Sequence, residues 1–304
     1  MSHCAGFIVL PHASLQDFLT LMYSVIIEAL PFVVLGVVIA VVVRLWLPPE
    51  FLLRRLPKQP LLRRATLSVL GVLLPVCECG NVPLARGLLA RGLTPAEALT
   101  FLLAAPILNP VTIITTQQAF KDDSVVVWAR IIGGFLIANV IGWLCTRLSK
   151  QQMLRADFIA ACHESKSQQS RTGLWRAADV FRQEMTVMLP ALVIGAIAAA
   201  AVQVLVPREV LLVLGDHPVW SVLAMTTLAF AVSICSSVDA FFALAFRHTF
   251  TPGSLVSFLT LGPMIDIKML SLLRTTFRSR VLIEVSVLVA LMAILLGLVV
   301  NYVG

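Results

Sequence analysis

Long apolar runs alternate with short polar breaks along the whole chain. Ile26 to Val43 holds one charge, Glu28, in 18 positions, and Val281 to Val300 holds one, Glu284, in 20. Runs of this length reach the roughly 18 apolar residues at which a helix can cross a membrane. The pattern predicts long helices over 20–47 and 184–206. Apolar stretches over 62–91 and 219–248 are interrupted midway, which predicts helical hairpins with tips at 77–81 and 234–239. A third stretch follows Thr-Pro in each half, over 95–118 and 252–273, and closing helices run over 125–147 and 281–302. Thr94-Pro95-Ala96-Glu97 is a strong helix start, with Thr at the N-cap, Pro at N1 and Glu at N3.

The same order of parts occurs twice, and specific residues repeat with it. Leu30, Pro31 and Gly36 recur 159 positions later as Leu189, Pro190 and Gly195, and Pro48, Glu50, Leu52 and Leu53 match Pro207, Glu209, Leu211 and Leu212 at that offset. Cys79 and Val82 match Cys235 and Val238 at offset 156. Thr94, Pro95, Phe101, Leu102 and Pro106 match Thr251, Pro252, Phe258, Leu259 and Pro263 at offset 157. Matched Pro, Gly, Thr-Pro and Cys in one order indicate a duplicated unit rather than chance similarity of leucine-rich segments. The expected division is a first membrane repeat over 15–148, a polar, solvent-exposed linker over 149–176 and a second membrane repeat over 177–304.

Composition and charge then set the class and the orientation. Hydrophobic residues make up 59% of the 304 residues, charged residues 13%, and the mean hydropathy is +0.95. A soluble domain carries about 25% charged residues. The net charge of +7 would suggest nucleic acid as a partner of a soluble protein. Here Lys and Arg cluster at 54–64, 86–91, 147–182 and 274–280, between apolar segments, so topology accounts for them. The positive-inside rule places those loops in the cytoplasm and both termini outside. Met1 to Ser14 has no basic residue and does not read as a signal peptide. Each unit then crosses the membrane an odd number of times, and the two units are inverted relative to each other. The expected fold is an all-α integral membrane protein of a bacterial inner membrane. It has two inverted-topology repeats, each with three spanning helices plus a hairpin, in all about 8–10 membrane segments. The hairpin arms Leu61–Val76 and Val82–Arg91 are short for a span, which favours re-entrant hairpins meeting near the midplane.

Candidate chemistry lies at the breaks. Cys77-Glu78-Cys79-Gly80-Asn81-Val82-Pro83 forms one tip, and Cys235-Ser236-Ser237-Val238-Asp239 the other. Gly, Asn and Ser there predict a broken helix, whose free backbone groups need protein or a wet cavity around them. A two-fold arrangement would bring Cys77, Cys79 and Cys235 to one cavity beside Glu78 and Asp239. Thiolates select soft metals or metalloids, although buried cysteines also serve as small hydrophobes. Cys145 fits that second role, and Cys4 and Cys162 look peripheral. Pro106 and Pro110 fall inside the third apolar segment of the first unit and Pro263 inside that of the second, and proline kinks a helix. Asn109 aligns with Asp266, so a polar side chain recurs at both breaks. Asp266 and Lys268 are ionisable residues in an apolar segment, hence site candidates or a mutually neutralising pair. Glu28 reads equally as part of a proton pathway or as an interfacial residue. Arg86, Arg91 and Arg130 read as snorkelling anchors.

The blocks Cys77–Leu88, Leu93-Thr94-Pro95, Ala105–Pro110 and Glu28–Phe32 resemble the predicted-permease family that includes the organoarsenical efflux permease ArsP, over roughly 15–302. That resemblance implies an inner-membrane permease, in some members an exporter of trivalent organoarsenicals; no cofactor is expected. The function then expected is secondary transport of a small-molecule or metalloid solute, with lipid around the protein and protons as candidate coupling ions at Glu78, Asp239 or Asp266. No Walker A loop is present to hydrolyse ATP. A membrane thiol oxidoreductase using Cys77 and Cys79, and a channel or scaffold, are the competing readings.

Overall fold

The structure is a computed structural model and describes residues 12–46, 48, 56–73, 76–167, 173–205 and 217–303. Cys4, Arg208 and the repeat matches at 50–53 and 207–212 lie outside the described residues. The first unit comprises α1 (His12–Trp46), α2 (Pro60–Leu70, extended by a 3-10 turn at Gly71–Leu73), α3 (Glu78–Ala90), α4 (Pro95–Leu108), α5 (Pro110–Ala119) and α6 (Ser124–Cys145). Two short helices follow, α7 (Lys150–Met153) and α8 (Ala156–Ser167). The second unit comprises α9 (Leu174–Leu205), α10 (Pro218–Val232), α11 (Asp239–Leu244), α12 (Pro252–Met264), α13 (Ile267–Leu273) and α14 (Ser279–Val303).

Among the described residues, 6 stretches are long and apolar enough to cross a membrane: α1, α4 with α5, α6, α9, α12 with α13, and α14. The chain is therefore an all-helical, multi-pass membrane protein. Helix α1 has 35 residues, or about 52 Å at 1.5 Å per residue, more than a hydrocarbon core of about 30 Å requires. Helix α3, with 13 residues, covers only about 20 Å, and α11, with 6, about 9 Å.

The centre is built from α4 and α12. Every residue of α4 is buried, and so is nearly all of α12. A helix apolar on all sides must face protein or lipid, and these two face protein. Helices α6 and α14 pack on them, α1 and α9 pack on each other and on α3 and α13 respectively, and these four turn Ile27, Trp128, Ile194 and Leu291 outward. Packing follows the same plan in both units: α2 lies on α4 as α10 lies on α12, and α4 lies on α6 as α12 lies on α14. Between units, α1 packs on α9, α3 on α13, and α11 on α5.

Helix ends define two poles. At one, Arg44 near the end of α1 reaches Glu184 in the first half of α9, Nη1 to Oε1 2.6 Å. Arg91, just past α3, donates to the carbonyls of Val43, at 3.1 Å, and Arg44. At the other pole, Asn301 of α14 accepts from Gly253 N (2.8 Å) and donates to Pro218 O (3.0 Å), gathering the start of α12 and the start of α10.

Three expectations change here. The segment after α6 is not simply a solvated linker: Met153, Leu154 and Phe158 are buried. Arg155 N donates to Thr276 O, and Arg278 N to Met153 O, both 2.9 Å, which staples α7 to the turn before α14. Met153, Leu154 and Phe158, with Ile159 and Cys162 packed beside them, dock it on the core. Arg86 and Arg130 are buried rather than snorkelling, because each meets a carboxylate of the other unit. Finally, the breaks do not fall at Pro106 and Pro263, which lie inside α4 and α12. The first break is at Asn109, which Pro110 keeps out of the helical region. The second is at Ile265–Asp266.

Candidate functional site

The four breaks converge. Cys77 is the N-cap of α3, and Glu78 to Asn81 form its first turn. Gly80 therefore sits in a helix and is not the cause of a break. Its role is close approach: a Cβ at Gly80 would strike the Phe32 carbonyl of α1, and one at Gly36 the Gly80 carbonyl. Pro83 offers no N–H, which leaves the Cys79 carbonyl without its helical donor. In the second unit α10 ends at Ser233, in a left-handed conformation (φ 51°), and Asp239 opens α11. Asn109 and Asp266 are both N-caps, accepting from Val111 N (2.9 Å) and Met269 N (2.5 Å). Asn109 also donates to Val76 O at 3.0 Å. It ties two breaks of the first unit together and has both ends of its amide engaged.

At the centre, the Cys77 and Cys235 sulfurs and a Glu78 oxygen lie within 4.8 Å of one another, all buried. Cys77 is also in side-chain contact with Cys79. Ser236 Oγ donates to Glu78 Oε2 at 3.2 Å, with Cys235 Sγ 3.9 Å from the same oxygen. Ser237 Oγ donates to Cys235 Sγ at 3.3 Å. Glu78 Oε1 receives Lys268 Nζ at 3.0 Å. Three thiols, a carboxylate and an ammonium, drawn from both units, thus occupy one sealed cluster. Two sulfurs and an oxygen suit a soft ion or metalloid, and no other described group of this kind is so compact. Beside them Asn81 is 1% exposed, yet neither end of its amide has a hydrogen-bond partner. Buried polar groups are normally paired, and Asn81 is an exception.

Asp239 stands apart from the thiols. Arg130 grips it with two hydrogen bonds, Nη1 to Oδ1 3.1 Å and Nη2 to Oδ2 2.5 Å, and gives a further one to Thr116 Oγ1 at 2.6 Å. A second buried network, Arg44 and Arg86 on Glu184, closes the pole that gathers Lys and Arg. Arg86 also donates to Thr276 Oγ1 at 3.0 Å and lies over the Phe158 ring. Arg130, Glu184 and Ser233 were absent from the sequence-derived set. Their partners lie 109, 98 and 35 residues away, beyond the reach of local pattern. The nearest signal was an arginine inside the otherwise apolar run 125–147. Of the remaining cysteines, Cys145 is buried in α6, and burial pushes the Cys162 thiol up despite Arg44 and Arg86 nearby, so neither reads as reactive. Glu28 is half-buried on α1.

The model of the ArsP_1 predicted-permease family matches residues 14–302. The UPF0718 protein YcgR of Bacillus subtilis is 35% identical over 267 residues, covering 86% of this chain and 89% of that protein. A Streptococcus mutans protein named as a subunit of a two-component membrane permease complex is 31% identical over 280 residues, covering 90% and 91%. No solved structure matches significantly.

Proposed function

The chain belongs to the predicted-permease family, and we propose that it is a secondary transporter whose solute is soft and thiol-reactive, with a trivalent organoarsenical the first candidate. One observation carries this reading: thiols from both units, Cys77 and Cys235, meet at the helix breaks in a sealed, charged cluster. The chemistry balances without any oxidant. Each arsenic–hydroxyl bond of a trivalent organoarsenical is replaced by an arsenic–sulfur bond. The thiol proton leaves with the hydroxyl as water, so two thiols release two waters and nothing is oxidised or reduced. Cys79 offers a third sulfur for handing the solute on, and Asn81 a polar contact.

Release then requires the cluster to open toward each side in turn. Inverted repeats with breaks at the midplane are a recurrent plan for such alternating access. The packing of α1 on α9, with the end of α1 against the first half of α9, supports that relation. So do the starts of α4 and α12 at opposite poles. Proton exchange at Glu78, Asp239 or Asp266 is the proposed drive. The inner membrane, with the basic pole cytoplasmic, is the proposed location. The name of the Streptococcus mutans relative raises a second membrane protein as partner.

Accumulation of methylarsenite by cells tests the reading. Cells expressing the protein are expected to accumulate less than those without it, and the Cys77→Ser, Cys79→Ser variant is expected to lose the difference. Full protection in that variant would remove the thiols from the mechanism.

A further inference from the structure

Three carboxylates, Glu78, Asp239 and Asp266, and two cations, Arg130 and Lys268, are buried around the helix breaks. Arg130 is taken by Asp239, with both guanidinium nitrogens on both carboxylate oxygens. Glu78 and Asp266 therefore share the single ammonium of Lys268. Its Nζ stands 3.0 Å from Glu78 Oε1, 3.9 Å from Asp266 Oδ2 and 3.4 Å from the carbonyl oxygen of Ser233. These three neighbours are oxygens, each at a helix break, and the Cys79 and Cys235 thiols also lie near the ammonium. The Ser233 carbonyl belongs to the C-terminal end of α10, where unsatisfied carbonyls and the helix dipole present negative charge.

One acceptor is left without a donor: Asp266 Oδ2 has no hydrogen-bond partner, although the residue is buried. A buried carboxylate oxygen in that state is costly unless a cation faces it. In broken-helix transporters, the carbonyls of unwound segments and the C-terminal ends of half-helices are what hold a coupling cation. Here the side chain of α13 delivers a positive charge to that place. The backbone holds it there: a Cβ at Gly195 of α9 would crowd the Lys268 backbone, 3.1 Å from its Cα. The backbone of Lys268 thus lies directly against α9.

We propose that Lys268 is a tethered cation, its ammonium filling an oxygen-lined site that accepts a free alkali cation once the side chain is cut back. The site consists of Glu78, Asp266 and the Ser233 carbonyl. An ammonium on a covalent tether cannot leave, so the natural protein takes up no alkali ion at this position. Its transport cycle at this site is sodium-independent. This goes beyond the transport reading above, because it concerns the charge the site carries whichever solute enters.

The test is thermal unfolding of the purified protein in detergent, with sodium, potassium or choline chloride at equal concentration. For Lys268→Ala, sodium or potassium is expected to raise Tm over choline by about 2–4 °C near saturation. The natural protein is expected to show no such difference. Glu78→Gln combined with Lys268→Ala should lose it. No cation-specific shift in Lys268→Ala, or an equal shift in the natural protein, overturns the proposal. If Lys268→Ala does not survive in choline, the measurement becomes its recovery as monodisperse protein from membranes solubilised in sodium, potassium or choline. Better recovery in an alkali salt supports the site, and equal loss in all three overturns it. The readout involves neither arsenic nor flux. A failed thiol test therefore leaves it standing, and Cys77→Ser should behave as the natural protein does.

Discussion

Asp239 is held by two hydrogen bonds from one guanidinium, in a place that water does not reach. The cost of such a pair falls on whichever partner is left alone. Removing one member of a buried ion pair destabilises by roughly 3–5 kcal/mol, whereas removing both charges is often close to neutral. Arg130→Ala is therefore expected to lower thermal stability sharply, and adding Asp239→Asn to recover much of the loss. Unfolding of the two variants in the same detergent checks this. Equal loss in both would mean that the arginine matters for its packing and not for its charge. At the same scale, Asn109 and Asn81 divide their labour. The first is used up in holding the fold, and the second is left without partners.

At the scale of the element, the site depends on how closely helix backbones approach. Gly36 lets α1 touch the first turn of α3, which carries Glu78. Gly195, which matches it in sequence 159 positions later, lets α9 touch α13, which carries Lys268. The matched glycines thus set the two charged residues that face each other across the units. Gly36→Val is expected to push α3 aside, lowering stability by roughly 1–3 kcal/mol through overpacking and abolishing transport. Gly262 makes the control. A Cβ there would meet only Ala229, at 3.9 Å, and Gly262→Ala inside α12 should be neutral or stabilise by up to about 1 kcal/mol. Unfolding and uptake measured on both variants decide the matter. Tolerance of Gly36→Val would show that the α1–α3 contact is not what fixes Glu78.

At the scale of the whole molecule, one pole is closed by Glu184, which binds Arg44 of α1 and Arg86 of α3 at once. The other is held by uncharged contacts around Asn301 and by one exposed ion pair, Arg247 with Asp122. The two ends of the described chain point the same way, since α14 starts at the basic pole and α1 finishes there. Alkaline phosphatase, active only outside the cytoplasm, gives the direct check when fused to a bacterial inner-membrane protein. Fusion after Val303 is expected to be active, and fusion at Ser167 inactive. The reverse pattern would turn the molecule over, and with it the assignment of the arginine-rich pole.

Much of this was legible in the sequence for one physical reason: lipid and helix geometry act on local pattern. Apolar run length marked the six candidate spans. Thr-Pro-x-Glu marked the start of α4, and the match of Cys79 with Cys235 marked the two hairpin tips that bring Cys77 and Cys235 together. Local pattern also misled where the partner was remote. Arg86 and Arg130 looked like interfacial anchors because Glu184 and Asp239 lie in the other unit. Met153, Leu154 and Phe158 looked like parts of a linker because the surface they dock on, around Phe277, comes far later in the chain. Prolines 106 and 263 marked the broken segments but not the residue at which each breaks, since that depends on which side chain is placed to cap the next helix. The sequence alone determined the class, the spans and the residue types at the centre. Only tertiary structure decided which charge faces which, because pairing across units is a matter of distance in space, which no spacing along the chain encodes.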